Sequence, residues 1–487
     1  MISKHFFKSS LIYSVVGALP YASGIILIPF FTQMLSPTDF GVNALYLTIV
    51  YFIQILSTYG FDTYIGISYF EFKDNRQKHK EHIGTIIVSL LAIGAFLMAV
   101  MIVCGDQIFS LIFQDKFLSF YPYGLMSVFT AIFNGFMKTY SNLLINQQRP
   151  ERFFWINVVN FLLVIAVSLT LLYIYPFTLN GPMWGRLLPA AFSFIVVLYF
   201  MISEFGIGFR KEFLKGIVSF CTPMLVYALF MWVVSYIDRF VIKHFLVDPM
   251  YVGIFDFGVK LTLLIDFFQM GLANTMHPKI YNIWKDNNLR ESTTEVNRYY
   301  NGFTAITLLI IPLFVIVIPL LVPIVVKKEI YYQCFTFLSI LCLGFATRGL
   351  FNMFLAPIFF FKKTKVLPKI FFFTAIFQII ISILLIKNFG LIGAVWATFF
   401  IKPIQVILLY IESRKIFKFK FNAVKLIYLP LFYIVMVIFS SIFLSEFNII
   451  IVGSVQFLIM GLMIFLIYKN ELKQTIEPFL KLLGIKS

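Results

Sequence analysis

The sequence has few charged residues and no long polar segment. Only 13% of its 487 residues are Asp, Glu, Lys or Arg, whereas 60% are hydrophobic. A soluble domain carries about 25% charged residues, so this composition excludes an ordinary soluble protein. The apolar runs are also too long and continuous for the alternating strands of an outer-membrane barrel. We therefore predict an all-α polytopic membrane protein.

Cysteine and catalytic signatures are scarce as well. The 4 cysteines lie in or beside apolar runs without a CxxC spacing, which indicates small core residues rather than disulfides or metal ligands. The sequence has no GxxxxGK[ST], HExxH or GxSxG motif, the signatures of phosphate-binding loops, zinc proteases and serine esterases. No loop is long enough for a separate soluble domain of about 50 residues. We predict a protein that is not an enzyme, binds no cofactor and acts through its membrane helices.

The apolar segments predict about fourteen spans, of which the second and tenth are long enough to be tilted or broken. The predicted spans cover residues 9–34, 40–69, 83–104, 120–145, 153–175, 181–203, 216–243, 251–277, 299–326, 330–360, 370–387, 391–411, 426–444 and 449–468.

The positive charges indicate the orientation of these spans. Most Lys and Arg lie in the N-terminus, in loops after even-numbered spans and in the C-terminus, and such loops remain in the cytoplasm. Both termini of this multi-pass protein are therefore predicted to be cytoplasmic. The basic blocks at residues 73–80, 362–369 and 414–425 are topology signals that can also contact anionic membrane lipids. A nucleic-acid partner is not predicted, although the net charge is +17.

Two halves of the chain resemble each other at an offset of 212 residues. The segment 35–41 (LSPTDFG) aligns with 247–253 (VDPMYVG), and 180–184 (NGPMW) aligns with 392–396 (IGAVW). Six spans separate equivalent positions, so the repeats have the same orientation and predict a pseudo-twofold axis along the membrane normal, as in transporters. The predicted lobes are 1–205 (spans one to six) and 206–415 (spans seven to twelve). Residues 416–487 form spans thirteen and fourteen and a cytoplasmic tail.

Six basic residues lie inside predicted spans, where each costs about 2.5–3.5 kcal/mol at the bilayer centre. Such residues almost always face a bundle interior or a wet cavity. A basic, water-accessible interior suggests a pathway for an anion. The six residues are Lys138, Arg186, Arg239, Lys260, Arg348 and Lys402.

Polar residues at helical spacing extend this pattern into stripes. Asn134, Lys138 and Asn142 share one face of span four, and Arg348 and Asn352 share one face of span ten. Span two carries Gln54, Thr58 and Asp62 at the same spacing, and span eight carries Asp256, Lys260 and Asp266. The three acids Asp62, Asp256 and Asp266 are candidates for binding a coupling proton or Na⁺.

Other interpretations of these charges involve no ligand. Asp256 and Lys260 can form an ion pair within one helix. Asp238 and Arg239 lie near the outer end of span seven, where a long side chain can extend to the interface. The cation at 402 precedes Pro403, so this position can mark a kink. Lys138 and Arg348 have no acid nearby in their own spans, which favours a ligand-facing role.

Several segments resemble the oligosaccharide-lipid flippases of the multidrug/oligosaccharidyl-lipid/polysaccharide exporter (MOP) superfamily. They are 28–32 (IPFFT), 35–41 (LSPTDFG), 238–242 (DRFVI), 252–255 (VGIF) and 390–398 (GLIGAVWAT). The resemblance covers essentially the whole chain. It implies two six-helix lobes around a central cationic cavity, with spans thirteen and fourteen serving a polyprenyl tail.

The resemblance implies an O-antigen or capsule repeat-unit flippase of the bacterial inner membrane. It would move undecaprenyl-pyrophosphate oligosaccharide from the inner to the outer leaflet by alternating access. The six cations would neutralise pyrophosphate and acidic sugars, Asn134, Asn142 and Asn352 would bind sugar hydroxyls, and polysaccharide-assembly proteins would be partners. Two alternatives remain open. A cation-coupled multidrug exporter of the same superfamily would need a mainly acidic cavity. A membrane polymerase or ligase for lipid-linked sugars would need a larger outward loop.

Overall fold

The computed structural model describes residues 12–13, 16–17, 19–72, 75–113, 117–286, 293–418, 420–444 and 446–469. Within these ranges the regular structure is helical and no β-strand occurs. Ten helical segments among these residues are long and apolar enough to cross a membrane. The predicted fold class, an all-α polytopic membrane protein, is confirmed. The first residues of predicted span one and the predicted C-terminal tail lie outside the described ranges.

Eight helices form the first half of the described chain. They are α1 (Leu19–Ile26), α2 (Ile28–Met34), α3 (Pro37–Thr58), α4 (Phe61–Phe72), α5 (Arg76–Phe113), α6 (Leu125–Asn146), α7 (Pro150–Ile174) and α8 (Asn180–Phe205). Eight more helices follow. They are α9 (Lys211–Leu246), α10 (Pro249–Asp286), α11 (Thr293–Val325), α12 (Phe335–Leu343), α13 (Arg348–Phe360), α14 (Leu367–Ile416), α15 (Leu429–Phe443) and α16 (Ile449–Ile467).

The two longest predicted spans are broken. Span two divides into α3 and α4 at Tyr59 and Gly60, whose φ angles are 51° and 81°. Span ten divides into α12 and α13 at the 3₁₀ turn Gly344–Thr347. Helix α14 contains predicted spans eleven and twelve, and Gly390 interrupts it with φ 60° and ψ −136°. Glycine adopts positive φ without the steric cost that a Cβ brings, so the break occurs at a residue suited to it.

The N-terminal ends of α3 and α10 cross at two glycines. A Cβ atom on Gly41 would lie 1.8 Å from the carbonyl oxygen of Pro249, and one on Gly253 would lie 3.0 Å from that of Pro37. Both pairs of residues are related by the offset of 212, so each half presents the same surface to the other. A twofold relation requires this reciprocity, which agrees with the parallel repeat inferred from the sequence.

Contacts divide the chain into two compact units. Unit one contains the described residues up to Asp256, together with Val326–Lys328 and Leu367–Gly390. Unit two contains the described residues of Phe257–Val325 and Glu329–Val366 and those from Leu391 onward. This grouping does not test the lobes 1–205 and 206–415 or the extra segment 416–487, which stay predictions.

Candidate functional site

The polar stripe of span four lies on the accessible face of α6 in unit one. Helix α6 packs closely on α3 beside this stripe, since a Cβ on Gly135 would lie only 2.9 Å from the Ser57 hydroxyl. Asn134 and Asn142 are half-buried, whereas the side chain of Lys138 is 53% exposed. A cation facing lipid would be costly. The stripe is therefore suited to a polar environment.

Lys138 is paired with a carboxylate from α4. Its Nζ lies 2.8 Å from Oδ2 of Asp62, whose side chain is 12% exposed. The break at Tyr59 and Gly60 places Asp62 in the first turn of a new helix. The predicted stripe of Gln54, Thr58 and Asp62 is therefore wrong as a feature of one continuous helix. The backbone break determines where Asp62 points.

Unit two contains a second accessible pair. Nη2 of Arg348, on α13, lies 3.4 Å from Oδ1 of Asp266, on α10, and the two side chains are 33% and 36% exposed. The guanidinium also lies 5.3 Å from the ring centroid of Phe351. Lys402 approaches the same segment, because a Cβ on Gly344 would lie 2.9 Å from its Cγ. Helix α14 continues through Pro403, and its backbone is interrupted at Gly390 instead.

The two accessible pairs join equivalent spans of the repeat. In unit one the cation lies on span four and the acid on span two. In unit two the cation lies on span ten and the acid on span eight, which are the equivalent spans of the second repeat. The residues themselves are not equivalent in the repeat. The two cations are 210 positions apart and the two acids 204, whereas equivalent positions are 212 apart. The sequence comparison shows no duplication of the charges, yet the structure repeats the ion pair between the same elements.

A third pair, between Arg239 and Asp256, is buried in unit one. Nη2 of Arg239 lies 2.8 Å from Oδ1 of Asp256, and both side chains are 6% exposed. The guanidinium also donates to the Ser235 carbonyl oxygen at 3.0 Å and lies 5.1 Å from the ring centroid of Tyr236. Asp256 therefore has a cationic partner on another helix, and its pairing with Lys260 within one helix stays a prediction.

The neighbouring acid Asp238 has neutral partners. It accepts hydrogen bonds from Gln378, at 2.8 Å, and from the hydroxyl of Ser382. Asp238 and Arg239 are 3% and 5% exposed, so the expected extension of this pair to the membrane interface is wrong. We did not predict Gln378 and Ser382, although their spacing of four residues within an apolar span is a recognisable signal.

Two further predicted site residues have unsatisfied donors. Nη1 of Arg186 and Nδ2 of Asn352 are buried without a hydrogen-bond partner among the described residues. Buried polar atoms usually have such a partner. Lys260 is half-buried on α10. The ligand-binding roles of all twelve predicted site residues stay predictions.

Comparison with known proteins identifies the family. Residues 30–329 match the model of a family described as "Polysaccharide biosynthesis protein". No curated protein matches the sequence.

Solved structures share the fold at low sequence identity. The lipid II flippase MurJ, in an inward closed conformation, superposes with a TM-score of 0.73 at 15% identity, over 94% of this chain and 99% of that chain. An inward-facing multidrug resistance MATE family transporter of the MOP superfamily gives 0.68 at 16% identity, over 82% and 94%. A MOP superfamily transporter from Pyrococcus furiosus, described by the reverse polarity of its binding pocket, gives 0.61 at 14% identity, over 84% and 95%. This chain is therefore a multi-pass membrane protein with the fold of MOP superfamily transporters, and it belongs to the polysaccharide biosynthesis protein family.

Proposed function

We propose that the protein moves an undecaprenyl-pyrophosphate-linked oligosaccharide from the inner to the outer leaflet of the bacterial inner membrane by alternating access. The observation that carries the proposal is the accessibility of Lys138 and Arg348 on membrane helices of a polysaccharide biosynthesis protein. Accessible cations within apolar spans suit an anionic cargo, because charge-assisted hydrogen bonds to phosphate are strong and strengthen where the dielectric constant is low.

Exposure separates the binding groups from the structural ones. Lys138 and Arg348 are 53% and 33% exposed and can meet a ligand. Arg239 is buried with Asp256, so we assign it to stability. Lys260 and Lys402 would add positive charge in unit two.

Unsatisfied donors support a polar cargo in both units. Arg186 would offer its free Nη1 to a phosphate oxygen, and Asn352 would offer Nδ2 to a sugar hydroxyl. Asn134 and Asn142, beside Lys138 on the accessible face of α6, would bind further hydroxyls. Arg186 and Asn352 would thereby gain the partner that buried polar groups require.

The remaining parts of the proposal concern energy and surroundings. Asp62 and Asp266 are accessible enough to bind a coupling proton or Na⁺, whereas Asp256 is held in its buried pair. We further propose that both termini are cytoplasmic, that membrane lipids contact the basic loops, and that polysaccharide-assembly proteins receive the cargo.

The test is replacement of Arg348 by alanine in a deletion strain complemented with the gene. We expect surface polysaccharide to be lost while protein abundance stays normal, because Arg348 holds the pyrophosphate without contributing to a buried core. Arg414→Ala is the matched control, since this exposed arginine lies in no intramembrane ion pair among the described residues and donates a hydrogen bond to the Tyr410 hydroxyl. Normal surface polysaccharide in the Arg348→Ala strain would remove Arg348 from the mechanism.

Analysis of the deletion strain separates the flippase from its two rivals. A flippase defect leaves lipid-linked repeat units on the cytoplasmic face of the membrane. A polymerase or ligase defect would leave them on the outer face, and a drug exporter would instead show increased drug susceptibility with normal polysaccharide.

A further inference from the structure

The two accessible cations are each held by a carboxylate on a different helix. Lys138 lies 2.8 Å from Asp62, and Arg348 lies 3.4 Å from Asp266. The acids come from spans two and eight, the cations from spans four and ten, so the repeat has produced the same arrangement twice. A structural ion pair has no need for such exposure, as the buried pair of Arg239 and Asp256 in the same protein shows.

We infer that Asp62 and Asp266 are internal substitutes for the cargo's phosphates. They neutralise Lys138 and Arg348 while the protein is empty and are displaced when pyrophosphate oxygens bind. This inference rests on the proposed flippase function and adds two residues that set affinity and turnover.

The physical basis is the cost of an unpaired cation within the membrane. Lys138 without a counter-ion would leave an uncompensated positive charge within a membrane-spanning helix, which is unfavourable. Asp62 removes that cost in the empty protein, so the empty protein can return to its starting conformation without cargo. The same carboxylate competes with phosphate and therefore weakens cargo binding.

The geometry permits the exchange. At 3.4 Å the contact between Arg348 and Asp266 is longer than the roughly 2.7–2.9 Å of a strong charge-assisted hydrogen bond. A phosphate group can approach the guanidinium more closely and can accept two parallel hydrogen bonds from it. At Lys138 the ammonium is the more exposed partner, so a ligand can reach it before Asp62 moves.

The test measures binding of farnesyl pyrophosphate, a short prenyl pyrophosphate, to the purified full-length protein in nanodiscs by isothermal titration calorimetry. We expect Asp62→Asn and Asp266→Asn each to bind about two- to fivefold more tightly than the wild type, the range that an accessible ion pair supports. Lys138→Gln and Arg348→Gln should bind more weakly. In proteoliposomes, the two Asp variants should translocate a fluorescent prenyl pyrophosphate more slowly despite tighter binding.

Asp106→Asn is the matched control, because Asp106 is an exposed acid outside both pairs. It removes one negative charge and should leave the Kd unchanged. If Asp62→Asn does not purify as a monodisperse protein, Asp62→Ser takes its place. Asp266→Asn tests the second pair independently.

The outcomes distinguish the inference from the function beneath it. Suppose that the wild type binds farnesyl pyrophosphate and that the Asp62 and Asp266 variants bind it equally well or more weakly. This result overturns the inference and leaves the flippase proposal intact. The inference is also overturned if Asp106→Asn binds farnesyl pyrophosphate as tightly as the Asp62 and Asp266 variants do, because the loss of any negative charge would then explain the tighter binding. Absence of farnesyl pyrophosphate binding by the wild type overturns the proposed function and the inference together.

Discussion

At the scale of single residues, exposure determines what each intramembrane charge can do. Lys138 and Arg239 both have a carboxylate 2.8 Å away, yet the lysine side chain is 53% exposed and the arginine side chain 6%. Loss of one member of a buried pair leaves an uncompensated charge and costs about 3–5 kcal/mol. Loss of one member of an exposed pair costs about 0–1 kcal/mol. The same kind of ion pair is therefore important for stability where it is buried and contributes little to stability where it is exposed.

Replacement of Arg239 tests this contrast. We expect Arg239→Met to lower the thermal unfolding temperature and the yield of monodisperse protein sharply, because Asp256 would remain buried without its partner. Lys138→Gln should melt close to the wild type. Fluorescence-detected size-exclusion chromatography after heating measures both.

The double variant Arg239→Met/Asp256→Leu supplies the control. It removes both charges from the buried site and should recover most of the lost stability. If Arg239→Met alone melted at the wild-type temperature, the pair would contribute nothing to stability.

The sequence identifies the charged residues but not their partners. All six intramembrane cations could be located because charges are rare in apolar spans. Asp62 and Lys138 are far apart in the sequence, and their meeting depends on how α4 and α6 pack. The pairing of Asp238 with Gln378 and Ser382 depends on contacts of the same kind, which helical spacing within one span cannot show.

At the scale of helices, close approach depends on glycines. The carbonyl oxygen of Pro249 occupies the position that a Cβ on Gly41 would take, at 1.8 Å. A distance below 3.0 Å to a backbone atom cannot be relieved by a change of rotamer, so α3 and α10 would have to separate. The crossing is therefore specified by the absence of a side chain.

Alanine at this position should separate the two helices. We expect Gly41→Ala to reduce folded protein strongly, because each helix would lose its packing at the crossing. Gly302→Ala, in helix α11 with no atom within 4 Å of its Cβ position, is the control and should be neutral or slightly stabilising, since alanine favours helix by about 1 kcal/mol. The measurement is the yield and melting temperature of both purified variants. Equal stability would show that the crossing tolerates a methyl group.

Span length predicts that a helix breaks but not where it breaks. Spans two and ten were long enough to suggest interruption, and both are interrupted. The break in span two lies at Tyr59 and Gly60, which adopt positive φ. The sequence does not show this, because a single glycine in an apolar run can mark either a break or a close contact between helices. This one position determines the direction of Asp62 and hence the candidate site.

At the scale of the whole molecule, the distribution of positive charge predicts the orientation in the membrane. Lys365 follows predicted span ten and Phe177 follows predicted span five, and both are exposed. These loops should lie on opposite sides of the membrane. Fold class follows from composition and hydropathy, because every span must satisfy its backbone internally as a helix.

Cysteine labelling tests the orientation. In a Cys104→Ser background, which removes the exposed cysteine and leaves the three buried ones, we expect Phe177→Cys to react with a membrane-impermeant maleimide in intact spheroplasts. Lys365→Cys should react only in inverted vesicles. The reverse pattern would place the termini outside the cytoplasm.

The reciprocal contact of Gly41 and Gly253 bears on the ancestry of the chain. A half-length protein carrying one repeat would present the same proline carbonyl and glycine to a second copy of itself. Duplication and fusion of its gene would then join two partners that already fitted each other, and no new interface would have to evolve. After such a fusion the copies would be free to diverge, and charges could shift along their helices while the contact between the halves stayed in place.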